Sequence, residues 1–215
     1  MKAKKIIIID YKVGNYQSVE NALNFLGYDF SVSDKKEDIK KAEVYILPGV
    51  GAFSEAMNNL KNLGISDTLS EEVLLNKKPI LGICLGMQVM ADYSEENGYH
   101  KGLGWIEGGL VKLEAKNDLR VPHVGWNNIK IIEKEPLFSK IEDGASFYVD
   151  HSYHFNGKKE YVSAVCNYGF DVVMAFQKEN IFGVQFHPEK SQNNGLKLFR
   201  SFFDFLGIKS IKKHA

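Results

Sequence analysis

The sequence has only two cysteines, Cys84 and Cys166. Two thiols cannot build a disulfide framework, and their spacing is not that of a zinc site, so neither disulfides nor a metal is expected. Nothing in the pattern calls for a cofactor. Net charge is lacking too: Lys+Arg and Asp+Glu each number 27, so no overall field favours nucleic acid or an anionic membrane surface. No apolar run reaches transmembrane length. The N-terminus is basic and then apolar, but Ile6 to Ile9 is too short for a signal core and runs into Asp10. A cytoplasmic chain is expected. The basic ends, Lys2-Ala3-Lys4-Lys5 and Lys209 to His214, read as solvated termini. Internal repeats and low-complexity segments are also missing. With 215 residues and an ordinary 44% hydrophobic fraction, the chain can bury one sizeable core, and 1–215 is expected to form a single domain.

What is present is an alternation of short apolar runs and helical patterns. Lys5 to Asp10 is Ile-rich throughout, as in a strand buried on both faces of a parallel sheet. Tyr16 to Leu26 places Val19, Ala22, Leu23 and Leu26 at helical spacing, and Gly27 stops it. Asp29 to Ser33 and Val44 to Leu47 read as the next strands, Phe53 to Leu63 and Ile65 to Leu75 as helices. Strand, helix, strand with short connections predicts a doubly wound α/β fold, with a mostly parallel sheet flanked by helices. Beyond residue 100, Gly104 to Glu114, Val121 to Ile132, Phe147 to Phe155, Tyr161 to Cys166 and Val172 to Phe186 are strand-like. They suggest antiparallel strands appended to that core. A helix over about Gln192 to Leu206 closes the chain.

The stretch Pro79-Ile80-Leu81-Gly82-Ile83-Cys84-Leu85-Gly86-Met87-Gln88 is where chemistry is expected. An apolar strand ends at Cys84, a helical pattern begins at Leu85, and glycines lie two residues to either side. Gly-x-Cys-x-Gly has the shape of a nucleophile elbow, a tight strand-to-helix turn that lifts one side chain above the sheet edge. A cysteine at a helix N-terminus is also favoured as thiolate. The bland reading is a buried cysteine in a Gly-rich turn, and that reading is kept for Cys166. Pro48-Gly49-Val50-Gly51-Ala52-Phe53 follows a parallel strand at its C-terminal end, the edge where open α/β sheets place ligands.

A cysteine nucleophile needs a base, and the base needs an orienting group. His187, in Gly183-Val184-Gln185-Phe186-His187-Pro188-Glu189, ends an apolar strand and has Glu189 two residues on, an offset that can return the carboxylate to the imidazole. Read alone, it is a polar histidine at a strand end. His123, His151 and His154 read as hydrogen-bonded structural residues, His100 and His214 as exposed.

Together these motifs resemble the class I (triad) glutamine amidotransferases. The segments containing Asp10-Tyr11, Pro48 to Phe53, Val121 to Asn127, His151-Ser152-Tyr153 and His187 to Ser191 narrow the likeness to the glutaminase subunits of imidazole glycerol phosphate synthase, over residues 10 to about 200. The resemblance implies a Cys84, His187, Glu189 triad that hydrolyses glutamine through a thioester. It implies an oxyanion site at Leu85 and the Val50–Gly51 strand, and glutamine contacts from Gln88, Glu96, Ser152 and Tyr153. It also implies a separate (β/α)₈-barrel cyclase partner in a heterodimer, faced by Asn15, Trp126 and Lys190, which receives the ammonia for histidine biosynthesis. Asp150, where an apolar residue is usual, and Glu107, where proline is common, depart from the pattern. They leave a surface-sugar amidotransferase as the alternative acceptor. A silent binding protein and a cysteine peptidase are the remaining readings. The intact triad speaks against the first, Gln88 and the Trp126 region against the second.

Overall fold

The computed structural model describes residues 5–114 and 119–211; the outer parts of both basic ends, with His214, lie outside the described residues. The chain runs β1 (Ile6–Ile9), α1 (Tyr16–Leu26), β2 (Phe30–Ser33), α2 (Lys36–Lys41), β3 (Val44–Gly49), α3 (Phe53–Asn62) and α4 (Ser66–Ser70), the last continued by a π-helical turn Glu71–Leu75. Then come β4 (Ile80–Cys84), α5 (Leu85–Gln88), β5 (Ala91–Ser94), β6 (His100–Lys101), β7 (Ile106–Lys112), β8 (His123–Ile131), β9 (Ser146–His151) and β10 (Tyr153–Gly157). β11 (Val162–Asn167), β12 (Asp171–Lys178), β13 (Ile181–Val184) and α6 (Gln192–Phe205) complete it.

Nine strands form one sheet in the order β2-β1-β3-β4-β13-β12-β11-β8-β9. The first five are mutually parallel, and β12, β11, β8 and β9 continue antiparallel. The fold is thus α/β, as expected, with one correction to the appended antiparallel segment. Its last part, β13, turns back and lies parallel beside β4, in the centre of the sheet. A second sheet, β10-β7-β5-β6, was not foreseen.

The Ile-rich first strand explains the layering. Ile6 and Ile8 pack with α1 and α6 residues (Val19, Leu23, Phe199, Phe203) on one face. Ile7 and Ile9 pack on the other with Phe53 and Leu60 of α3, Leu69 of α4, and Ile106 and Leu110 of the second sheet. Successive strand residues point to opposite faces, so a continuous apolar run is what a strand covered on both sides requires. Gly27 closes α1 in the left-handed conformation, with its N–H on the Asn24 and Leu23 carbonyls. Among the described residues, no helix is long and apolar enough to cross a membrane.

Candidate active site

Cys84 ends β4 with φ 52° and ψ −112°, a backbone conformation that a side-chain-bearing residue seldom adopts. The elbow therefore exists as a local strain, and close packing explains its glycines. A Cβ on Gly86 would stand 1.7 Å from the Leu47 carbonyl oxygen of β3, and one on Gly82 would stand 2.7 Å from the Gly86 carbonyl. The helix after the elbow is shorter than the apolar pattern suggests, a single turn from Leu85 to Gln88. The carbonyls of Val89 and Met90 accept from Leu103, Trp105 and Ile106 instead of continuing the helix. So short a helix has little macrodipole to offer a thiolate; charge support has to come from side chains.

That support is His187. It leaves β13 and stands at the head of the turn Pro188–Lys190, which brings Glu189 back so that Nδ1 of His187 lies 2.7 Å from Oε1 of Glu189. Both side chains are only 3% exposed. Burial by itself pulls the imidazole towards its neutral form, but hydrogen bonding to Cys84 and Glu189 and the charges of both outweigh it and raise its pKa to about 10. The imidazole is therefore an imidazolium at neutral pH, poised between a sulfur and a carboxylate. Ser191 locks the arrangement from behind. Its hydroxyl donates to the His187 carbonyl at 2.6 Å and accepts the Tyr148 N–H at 3.0 Å, while the His187 N–H donates to the Tyr148 carbonyl at 2.9 Å. Cys166, by contrast, is buried in the core, where desolvation and then the Asp171 charge push its thiol up to about 12. It is inert.

Cys84 opens into a cleft of about 260 Å³ whose wall includes Val50, Gly51, Leu85, Gln88, Glu96, Asp150, Ser152, Tyr153, His187 and Lys190. The expected triad, oxyanion and substrate residues thus converge on one place, Glu189 standing behind His187. Two are tethered in ways the sequence did not reveal. Glu96 accepts the Phe53 N–H at 2.6 Å, tying the loop after β5 to the start of α3. The Gln88 amide donates to the Tyr153 carbonyl at 3.2 Å and to Oε1 of Gln185 at 3.0 Å. Asn15 and Trp126 are not in the cleft wall. Asn15 precedes α1 without a side-chain cap bond, and Trp126 is half exposed on β8, edge-on to Tyr148 at 6.2 Å. Lys190 is exposed, with Nζ 5.5 Å from the Tyr148 ring centre. Asp150 is exposed at the cleft mouth; Glu107, exposed and distant from it, pairs with Lys158. Gln185 and Ser191 were missed as separate contributors, though both stand in the quoted motif.

A buried histidine pair adjoins the cleft, with His151 in its wall. Nδ1 of His151 is 2.9 Å from the Tyr153 carbonyl, which can only accept, so His151 carries its proton there. Its Nε2 then accepts from Nδ1 of His123 at 3.2 Å, and Nε2 of His123 accepts from the Asn127 amide at 3.3 Å. Tyr168 stacks on His123 with ring centres 3.8 Å apart. Burial is the main cause lowering both pKa values, that of His151 to about 3, with the charges of His123, His154 and His187 adding to it. A second proton would set two N–H groups face to face. Below pH 6.5 the unfolded chain binds protons that the folded pair refuses, so the pair's contribution to stability is complete above that pH and is lost as pH falls, for His151 down to about 3. The slope should reach about 1.4 kcal/mol per pH unit for each such histidine. Thermal unfolding followed between pH 7 and 4 should show the fall, with a shallower slope for His123→Gln.

Among the described residues, no group of three or more His, Cys, Asp or Glu side chains is arranged to hold a metal ion. Chemically, the assembly is a cysteine sulfur beside an imidazolium at the end of a small cleft, a device for acyl transfer.

Residues 7–205 match the family model described as glutamine amidotransferase class-I. The chain is 48% identical over 208 residues to the imidazole glycerol phosphate synthase subunit HisH 2 of Vibrio vulnificus (strain YJ016), covering 96% of this chain and 97% of that one. It is 41% identical over 211 residues to the imidazole glycerol phosphate synthase subunit HisH of Bacillus subtilis (strain 168), covering 96% and 99%. Among solved structures, PurLQS from Thermotoga maritima superposes with a TM-score of 0.74 at 18% identity, covering 95% of this chain and all of that one. At that identity the likeness shows the fold alone.

Proposed function

This chain belongs to the class-I glutamine amidotransferase family, and from that premise we propose that it is the glutaminase subunit of an imidazole glycerol phosphate synthase. In this reading it works in the cytoplasm and hands ammonia to a separate cyclase subunit for histidine biosynthesis. The observation that carries the chemistry is the Cys84 elbow facing a buried His187–Glu189 pair at 2.7 Å. The partner is supported by the 48% and 41% identity to subunits named for that synthase.

The Cys84 thiolate attacks the side-chain amide carbon of glutamine. The oxyanion is received by backbone N–H groups of Leu85 and of the Val50–Gly51 bend that follows β3. As the tetrahedral intermediate collapses, the C–N bond breaks, His187 gives its proton to the leaving nitrogen, and ammonia departs from a γ-glutamyl thioester. The sulfur then no longer carries charge, and the part of the raised His187 pKa that came from the thiolate disappears. The neutral imidazole takes a proton from water, hydroxide adds to the thioester, the C–S bond breaks, and glutamate and the thiolate are restored. Glu189 keeps the imidazole oriented throughout. Gln88, with its two donors engaged, presents its carbonyl to the substrate. The oxygen of Glu96 not taken by Phe53 is left for the α-ammonium, and Ser152 and Tyr153 close the cleft. A cleft of about 260 Å³ suits one free amino acid better than a peptide strand, which favours glutamine over peptidase chemistry.

The partner would be a (β/α)₈-barrel, docked in a heterodimer over Asn15, Trp126 and Lys190. Half-exposed Trp126 and Val124, 54% exposed, give that face an apolar centre. Lys190→Ala should weaken partner binding about tenfold while changing stability by less than about 1 kcal/mol. Titration of the cyclase against stimulated glutamate release, alongside thermal unfolding, checks both. An unfolded variant, or one fully coupled to its partner, would contradict it.

The whole reading is tested by glutamate release from the purified chain, alone and with the barrel cyclase of its own genome plus the cyclase ligand. Strong stimulation by the liganded cyclase is expected. A second reading keeps the glutaminase but feeds a surface-sugar amidotransferase. It is favoured by Asp150 at the cleft mouth, where a partner would dock. Activity indifferent to the cyclase would select it.

A further inference from the structure

Gln185 is wholly buried at the end of β13 and reaches the nucleophile, with Nε2 3.7 Å from Sγ of Cys84. Either end of an amide could face a sulfur, and here the network decides which one does. The Tyr153 carbonyl can only accept, and it already holds the His151 Nδ1–H at 2.9 Å, so the end of Gln88 that meets it at 3.2 Å is the NH₂. The same NH₂ is 3.0 Å from the Gln185 side chain, which must therefore turn its oxygen to Gln88 and its own NH₂ to Cys84. One backbone carbonyl in the substrate loop thus fixes two amides in series and aims a neutral donor at the sulfur. The opposite contact, Sγ to the Asp150 carbonyl at 3.9 Å, suits a thiol and offers nothing to a thiolate.

We propose that Gln185 is a positioning residue for the reaction, holding the Cys84 thiolate by an N–H···S⁻ bond whose direction is set through Gln88 by the carbonyl of Tyr153. An anion accepting a donor is stabilised and pinned to one rotamer, facing the cleft beside His187. Because Tyr153 is also a wall of the cleft, a shift of that loop on glutamine binding reaches the sulfur through two side chains. The device leaves glutamine affinity to other groups and acts on the attacking atom.

The proposal rests on Cys84 being the nucleophile, so Cys84→Ala is run in parallel. Gln185→Met keeps the volume and removes the donor. Its kcat for glutamate release should fall about ten- to hundredfold, the range for a hydrogen bond to a charged group, with KM changed less than about threefold. Alkylation of Cys84 by iodoacetamide at fixed pH, which needs no glutamine, should slow in the same variant. Gln185→Glu, which turns an anion towards the sulfur, should be slower still. Wild-type kcat and alkylation in Gln185→Met, or a loss confined to KM, would overturn the proposal. If that variant fails to fold, Gln88→Met decides, since it leaves Gln185 in place but unanchored. Slowed alkylation of Cys84 is expected, and an unchanged rate would overturn the proposal. Full turnover in Cys84→Ala would instead remove the reading beneath it.

Discussion

Replacing Cys84 with alanine is expected to lower glutamate release by about 10⁴- to 10⁶-fold, the scale seen when the attacking atom of a nucleophilic triad is removed. Two structural features make the loss so complete. The other thiol, Cys166, is sealed in the core with its pKa pushed up to about 12, and cannot substitute. The His187–Glu189 pair is built to exchange protons with an attacking group, and the cleft wall holds no second thiol. Cys84→Ser should be nearly as poor, because a hydroxyl is not ionised beside an imidazolium at neutral pH. Partner binding should persist in both variants, since the alanine leaves Trp126 and Lys190 in place. Persistent turnover in a clean Cys84→Ala preparation would sink the nucleophile assignment.

A large loss of stability is expected from Gly86→Ala. A methyl group there would lie 1.7 Å from the Leu47 carbonyl oxygen and 2.7 Å from its carbon, both backbone atoms of the central strand β3. Neither can step aside as a flexible side chain would, so α5 has to lift off the sheet and take Leu85 and Gln88 with it. A loss of about 3 kcal/mol or more is expected. For a chain of this length that corresponds to a midpoint lowered by about 6–12 °C, with glutaminase activity lost alongside. Gly14→Ala is the control: its added carbon would meet nothing nearer than 3.6 Å, and stability should hold within about 1 kcal/mol. Equal melting of the two variants would contradict the packing account of the elbow.

Local chemistry made part of this legible in advance. A run of four isoleucines can only be a strand covered on both sides, and Gly82, Cys84 and Gly86 pack as an elbow requires. His187 and Glu189, two residues apart across a proline, meet because a single turn suffices to bring them together. What was not legible depended on tertiary partners. Val172 to Phe186 read as one strand because its turn carries no glycine or proline; Glu179 takes the positive φ, 53°, that a glycine would ordinarily supply. The reversal into β13, which brings His187 to Cys84, was therefore hidden. The second sheet was missed because β5 and β6 are short and mixed in polarity, and they pair only once Val89 and Met90 have surrendered their carbonyls to residues 103–106. Gln185 looked like an isolated polar residue in an apolar strand. Its role depends on Gln88 and Tyr153, 97 and 32 positions away, and no local pattern records such a meeting.

The most direct test of the central claim is labelling by a diazoketone analogue of glutamine, whose methylene carbon alkylates an attacking thiolate with loss of nitrogen. Incubated with the chain and its partner, then digested and sequenced by mass spectrometry, it should modify Cys84 stoichiometrically, spare Cys166, and be blocked by excess glutamine. Inactivation should track the label one to one. Labelling of Cys166, or glutamate release that continues after Cys84 is fully modified, would contradict the account.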